Sequence, residues 1–297
     1  MKCFALITLF SIAAIGTASS LESILFDTVI ENGLEEAIIL YHNESDLSDS
    51  GIELEVLRIL AQNLRTEGQF EAARAFLHLN MKAYPESIQP LTDLAVFTFS
   101  MGERDSSRIY IGLAEELDPF LLSTVILRKR IFFIADEFSY PKELETANFY
   151  IRPIRGSDAE MDYPAVMSSI SHIRNTMGSR SWPSEELTLE EDRTDLARHE
   201  GEMERGEAFV YTVMNKTQTE ILGCIYIFTS RLDHLDAEIA IWTTLEAFEN
   251  GLDSVLFQEV QNWINNEWPF EEVVYPGRSI SFQEFYTSLG EQDEKYH

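Results

Sequence analysis

The sequence predicts two folded regions in series: an α-helical repeat, then a mixed α/β domain around a central, mostly antiparallel sheet. Three observations predict it. In the first half, turn markers recur at one spacing: Gly68 and Gly102 are 34 residues apart, and so are Pro85 and Pro119. From Asn148 onward, short β-branched and aromatic runs alternate with helical patterns. The 297 residues, 45% of them hydrophobic, suffice for two separate cores.

Residues 1–20, MKCFALITLFSIAAIGTASS, have the make-up of a secretory signal: Lys2, an apolar run from Phe4 to Ile15, then small residues suited to cleavage. The expectation is an exported, periplasmic or extracellular protein. Cleavage near Ala18 leaves Cys224 as the single cysteine, so no intramolecular disulfide is expected. No later run approaches the roughly 20 apolar residues of a membrane span.

Residues 21–134 form the helical region. Leu57, Leu60, Ala61 and Leu64 precede the turn at Gly68, and Ala73 and Leu77 follow it before Pro85. One period later stand Leu91, Leu94, Ala95 and Thr98, the turn at Gly102, then Ser107, Ile111, Ala114 and Pro119. Small residues let paired helices approach while leucines fill the groove. Glycine ends the first helix of each pair at positive φ. The pattern resembles the tetratricopeptide repeat, with Thr98 in place of an aromatic and Ser107 in place of alanine. Leu21 to Asn43 supplies a preceding pair and Leu121 to Ile134 a cap. The resemblance implies a groove that holds a peptide or protein. Residues 135–147 read as a linker, in which Ser139 and Lys142 match S-x-x-K by coincidence, since Pro141 interrupts the helix that motif needs.

In residues 148–297 the expected order is a first strand within NFYIRPIR, helices over Met161–Asn175 and Leu189–Arg205, then strands Ala208–Met214, Ile221–Thr229 and Ala237–Thr243. A helix over Leu252–Asn265, a strand over Glu271–Tyr275 and a helix over Ser281–Leu289 follow. This order resembles the GNAT N-acetyltransferase superfamily. So do three local features: the glycine in Leu222-Gly223-Cys224-Ile225, the strand-to-helix junction Gly251-Leu252-Asp253-Ser254, and the late helix SISFQEFYTSLG with Tyr286 and Gly290. The resemblance implies acetyl-CoA as cofactor, its pyrophosphate held by Asn250, Gly251, Leu252, Asp253 and Ser254 at a helix N-terminus. It implies Glu238 as base and Tyr286 as acid. The loop departs from the family's glycine-rich pattern. With Gly251 as the central glycine, Phe248 takes the basic position, and Glu249 and Asp253 replace two glycines. A carboxylate about 4 Å from a phosphate charge costs up to ~4 kcal/mol at an effective dielectric near 20. Two readings stay open: an acetyl-CoA-dependent N-acetyltransferase, or a non-catalytic envelope protein acting through the repeat groove.

The charge narrows the partners. Acidic residues outnumber basic ones 51 to 22, giving a net −29, which repels nucleic acid and anionic membrane surfaces. His234, Asp236 and Glu238 alternate as a wet strand edge would, Cys224 reads as inert core, and no metal site is expected. Trp182-Pro183 and Trp268-Pro269 read as packing features.

Overall fold

A computed structural model of the protein describes residues 20–47 and 52–296. The signal-like stretch lies outside the described residues, apart from Ser20, whose hydroxyl caps the first helix by accepting from the Ser23 amide. The chain forms two compact units that part between Leu94 and Ala95.

The first unit holds helices α1 (Leu21–Asn32), α2 (Leu34–Leu47), α3 (Leu54–Thr66), α4 (Phe70–Ala83) and the start of α5 (Ile88–Ser100). Helices α3 and α4 form the pair expected from the sequence. Leu57, Leu60, Ala61 and Leu64 are buried against Ala73, Phe76 and Leu77, and Gly68 turns between them at φ +73°. The helical region fits a repeat: α5 starts 34 residues after α3, and α6 (Arg104–Leu117) starts 34 residues after α4. The equivalent turn is Gly102 at φ +76°.

The second unit opens with the end of α5, then α6 and α7 (Leu122–Ile131). Both departures from the repeat pattern have a local cause. The buried hydroxyls of Ser107 and Thr98 each donate to the Ala95 carbonyl, at 2.9 and 3.3 Å. Lys129 of α7 donates to the carbonyls of Ser230, Leu232 and Leu235 at 3.1, 2.6 and 2.6 Å. Arg104 reaches the Arg205 carbonyl at 3.1 Å. These contacts explain why α6 and α7 group with the sheet, although the sequence reading ends the helical region at residue 134.

The sheet has six strands in sequential order: β1 (Leu144–Glu145), β2 (Tyr150–Pro153), β3 (Ala208–Met214), β4 (Ile221–Thr229), β5 (Ala237–Thr243) and β6 (Val273–Val274). Every neighbouring pair is antiparallel except β5 and β6, which are parallel. Helices α8 (Ala159–Met167), α9 (Ile170–Met177) and α10 (Leu189–Glu204) pack on one face. On the other face lies α12 (Leu252–Glu267), preceded by the short α11 (Leu245–Glu249). Trp263 of α12 meets the Tyr211 ring edge-on at 4.9 Å, and Trp268 meets Phe209 likewise at 4.9 Å. Helix α13 (Phe282–Tyr296) ends the described chain. A helical region followed by a mixed sheet clad in helices is the architecture that the sequence predicts. Among the described residues no helix is long and apolar enough to cross a membrane.

Candidate functional site

Strands β5 and β6 pair over two positions only, Ala237 with Val273 and Glu238 with Val274. Beyond Glu238 the two strands part, and the carbonyls on that edge of β5 need donors from elsewhere. Arg278 supplies one. After β6 the chain turns back, with the Gly277 amide on the Ile280 carbonyl at 2.7 Å and the Arg278 amide on the Tyr275 carbonyl at 3.0 Å. The Arg278 guanidinium donates to the Ile241 carbonyl at 3.2 Å and to both oxygens of Asp253 at 2.9 and 2.7 Å. It also lies 5.1 Å from the centre of the Phe257 ring. The pair is well covered, with side-chain exposures of 13% and 15%.

The structure brings the expected cofactor residues together at the start of α12. Asn250 closes α11, Gly251 turns at φ +81°, Leu252 opens α12, and the Ser254 hydroxyl donates to the Gly251 carbonyl at 3.1 Å. A side-chain carbon on Gly251 would meet nothing within 4 Å, so the loop is open there. The helix N-terminus offers amide donors, yet the charges around it do not suit a pyrophosphate. Glu249 and Asp253 are carboxylates, and the neighbouring Arg278 is already neutralised by Asp253. The His172 ring lies tilted against Phe248 at 4.6 Å, and burial lowers the pKa of its imidazole, which favours the uncharged form. The start of α12 therefore combines backbone amide donors with two carboxylates, Glu249 and Asp253.

Glu238 and Tyr286, the expected base and acid, both meet Arg231. Glu238 accepts from Arg231 through both oxygens, at 3.0 and 2.6 Å. Tyr286, half exposed on α13, lies near the same guanidinium. Both oxygens of Glu238 are thus engaged by Arg231. Asp236 is used structurally, accepting from the amides of Glu271 and Glu272 at 2.8 and 3.0 Å.

A second feature lies on the opposite face of the sheet, where α10 and the segment after α9 arch over β4. The cavity between them measures about 650 Å³. Its walls include Trp182, Tyr226 and Phe228, with Met177 and Leu187 between them. Tyr226 and Phe228 alternate along β4 and stack at 5.8 Å, while Trp182 stands edge-on to Tyr226 at 6.4 Å. Burial holds the Tyr226 phenol protonated, its pKa pushed far up. The α10 wall carries Glu191, Asp192, Asp195, Arg198 and His199. Arg198 is taken by Asp195 at 2.5 Å and Glu202 at 2.6 Å, and His199 by Glu202 at 2.9 Å. Asp192 is 6% exposed, and no amide, hydroxyl or cationic donor of the protein reaches its Oδ2. Burial, then the charge of Asp195, pushes its carboxyl up to about 6. Behind it Asp162 is held protonated by burial and by the charges of Asp192 and Asp158. Sequence reasoning missed this cavity. The signals were the Trp182-Pro183 pair, which read as packing, and the alternation of Tyr226 and Phe228 on β4.

No protein-family model matches the chain, and no curated protein matches it. Solved structures similar to its carboxy-terminal half are acetyltransferases. The ribosomal-protein-S5-alanine acetyltransferase from Vibrio fischeri is 16% identical, with a TM-score of 0.39 over 50% of this chain and 82% of its own. A ribosomal L7/L12 α-N-protein acetyltransferase is 17% identical, with a TM-score of 0.37 over 45% of this chain and 70% of its own. The microcin C7 self-immunity acetyltransferase, solved with acetyl-CoA and AMP, is 12% identical, with a TM-score of 0.36 over 49% and 79%.

Proposed function

We propose that this chain carries a GNAT-like fold turned from acetyl transfer to binding: it holds a ligand in the cavity beneath α10 and transfers no acetyl group. One observation carries the reading. Arg278, locked to Asp253 and the Ile241 carbonyl, fills the parting of β5 and β6 from within and leaves no free cation beside α12. The engagement of Glu238 by Arg231 supports it, because the expected base is already paired. The signal-like leader supports an exported location, away from cellular acetyl-CoA.

Calorimetry of the purified chain with acetyl-CoA at moderate salt tests this reading. No heat is expected up to millimolar ligand. Micromolar binding overturns it and restores the transferase. A second reading rests on the first unit, where α1 and α3 border a polar cavity of about 420 Å³ lined in part by Glu22, Asp27 and Glu67. Such a surface suits a basic peptide, and a peptide array on the isolated segment 20–94 would reveal it.

A further inference from the structure

We infer that the cavity beneath α10 is a site for an alkylated organic cation, a quaternary ammonium of the choline type. The inference rests on the binder reading above and names its ligand class. Four observations carry it.

First, three aromatic side chains, Trp182, Tyr226 and Phe228, share one cavity, and ring faces attract cations. Second, the flanking wall is acidic, and its Arg198 is already answered by Asp195 and Glu202. Third, Asp192 lines the cavity more than nine-tenths buried, with the protonated Asp162 behind it and no ion pair to an arginine, lysine or histidine of the described residues. A buried carboxylate without a counter-charge is costly, and a cation in the cavity would supply one.

The fourth observation separates an alkylated cation from a simple amine. A primary ammonium carries three N–H donors and needs three acceptors once it leaves water. The other carboxylates of the wall are committed. Glu191 accepts from the Thr188 amide and hydroxyl, both at 2.8 Å, in the cap of α10. Asp195 and Glu202 hold Arg198, and Glu186 stands exposed at the rim. One buried carboxylate and three rings match a cation that presents methyl groups and charge but no donors.

The test is a titration of the full chain with choline, with ethanolamine and with 3,3-dimethylbutan-1-ol, the neutral isostere of choline, near pH 7.5. Choline is expected to bind, with the isostere and ethanolamine each at least ~10-fold weaker, as a charge–aromatic contribution of one to two kcal/mol implies. Asp192→Asn and Trp182→Leu should each weaken choline by a similar factor. Equal affinity for choline and its isostere, or no choline binding up to about 50 mM on the scale of weak sites, overturns the inference. This comparison runs on the wild-type chain, so it decides even where a variant fails to fold. If neither acetyl-CoA nor choline binds, the binder reading stands and the cation inference falls. If acetyl-CoA binds, the binder reading falls, whatever choline does.

Discussion

The Arg278–Asp253 pair is where the reading of this protein can be tested most directly. Its charge centres lie about 4 Å apart, which at an effective dielectric near 20 amounts to ~4 kcal/mol of attraction. Desolvation of two largely covered groups returns part of that, so a net coupling of ~2 kcal/mol is expected. The assay is a double-mutant cycle by urea unfolding: Asp253→Asn, Arg278→Met and the double variant, compared at constant m. Arg278→Met should be the costliest single change, at ~3 kcal/mol, because it strands the Asp253 carboxylate and the Ile241 carbonyl together. Asp253→Asn should cost less, since an amide still accepts from Arg278. It also removes a carboxylate from the start of α12 and frees a cation there. Inorganic pyrophosphate, without effect on the wild type, should then stabilise the variant in the millimolar range. Additive single effects, with coupling below about 0.5 kcal/mol, would refute the latch. So would pyrophosphate binding that is equal in wild type and Asp253→Asn.

Four further outcomes are expected. Arg152 and Asp158 form a bidentate pair at 2.7 Å with both side chains under 10% exposed, so Asp158→Asn should cost ~3 kcal/mol in chemical denaturation. Asp192 titrates near 6 in the fold and near 4 unfolded, facing Asp162 from α8 and Asp195 and Arg193 on α10. The folded state therefore binds the extra proton between those values, and its stabilisation is present below pH 4 and lost as pH rises through about 6. Melting curves should show wild type losing roughly 2–3 kcal/mol relative to Asp192→Asn between pH 4.5 and 7.5. A side chain at Gly223 would overlap the Trp242 carbonyl across the β4–β5 ladder, so Gly223→Ala should cost ~3 kcal/mol or abolish soluble expression. Lys129→Met strands three carbonyls and should cost ~2–3 kcal/mol, read as faster amide exchange in residues 230–236.

Much of the fold was legible because its signals are local. Strands β3, β4 and β5 fall on the residues that apolar, β-branched runs and a polar turn indicate. Helix α10 starts at Leu189 because Thr188 and Glu191 cap each other. Where local signals gave way, tertiary contacts decided. The single helix expected over Met161–Asn175 breaks into α8 and α9 around Ser168 and Ser169, and the Ser169 hydroxyl accepts the Leu245 amide at 3.0 Å. The last helix runs past Gly290 to Tyr296, and Gln292 is tied to the Arg231 carbonyl at 2.9 Å. Strand β6 shrinks to two residues because Arg278 takes the next position along β5. The site was less legible. Asp253 and Arg278 are 25 residues apart with no periodic relation, and the cavity draws its walls from three separate elements.

The contrast between two aspartates shows how the fold assigns its sites. Parting β5 from β6 leaves strand carbonyls open, and a chain without a ligand there must answer them itself. Arg278 does so, but a covered guanidinium in turn needs a counter-charge, and Asp253 provides it from the start of α12. The carboxylate that reads in the sequence as an obstacle to an anion is thus the counter-charge of that arginine. Asp192, on the other face of the sheet, is also buried, yet it forms no ion pair among the described residues, and burial with the charge of Asp195 pushes its carboxyl up. A fold that neutralises one buried carboxylate with its own arginine and leaves the other facing an aromatic cavity separates structure from recognition. The answered charge holds the sheet together, and the unanswered one marks where a cation from outside belongs.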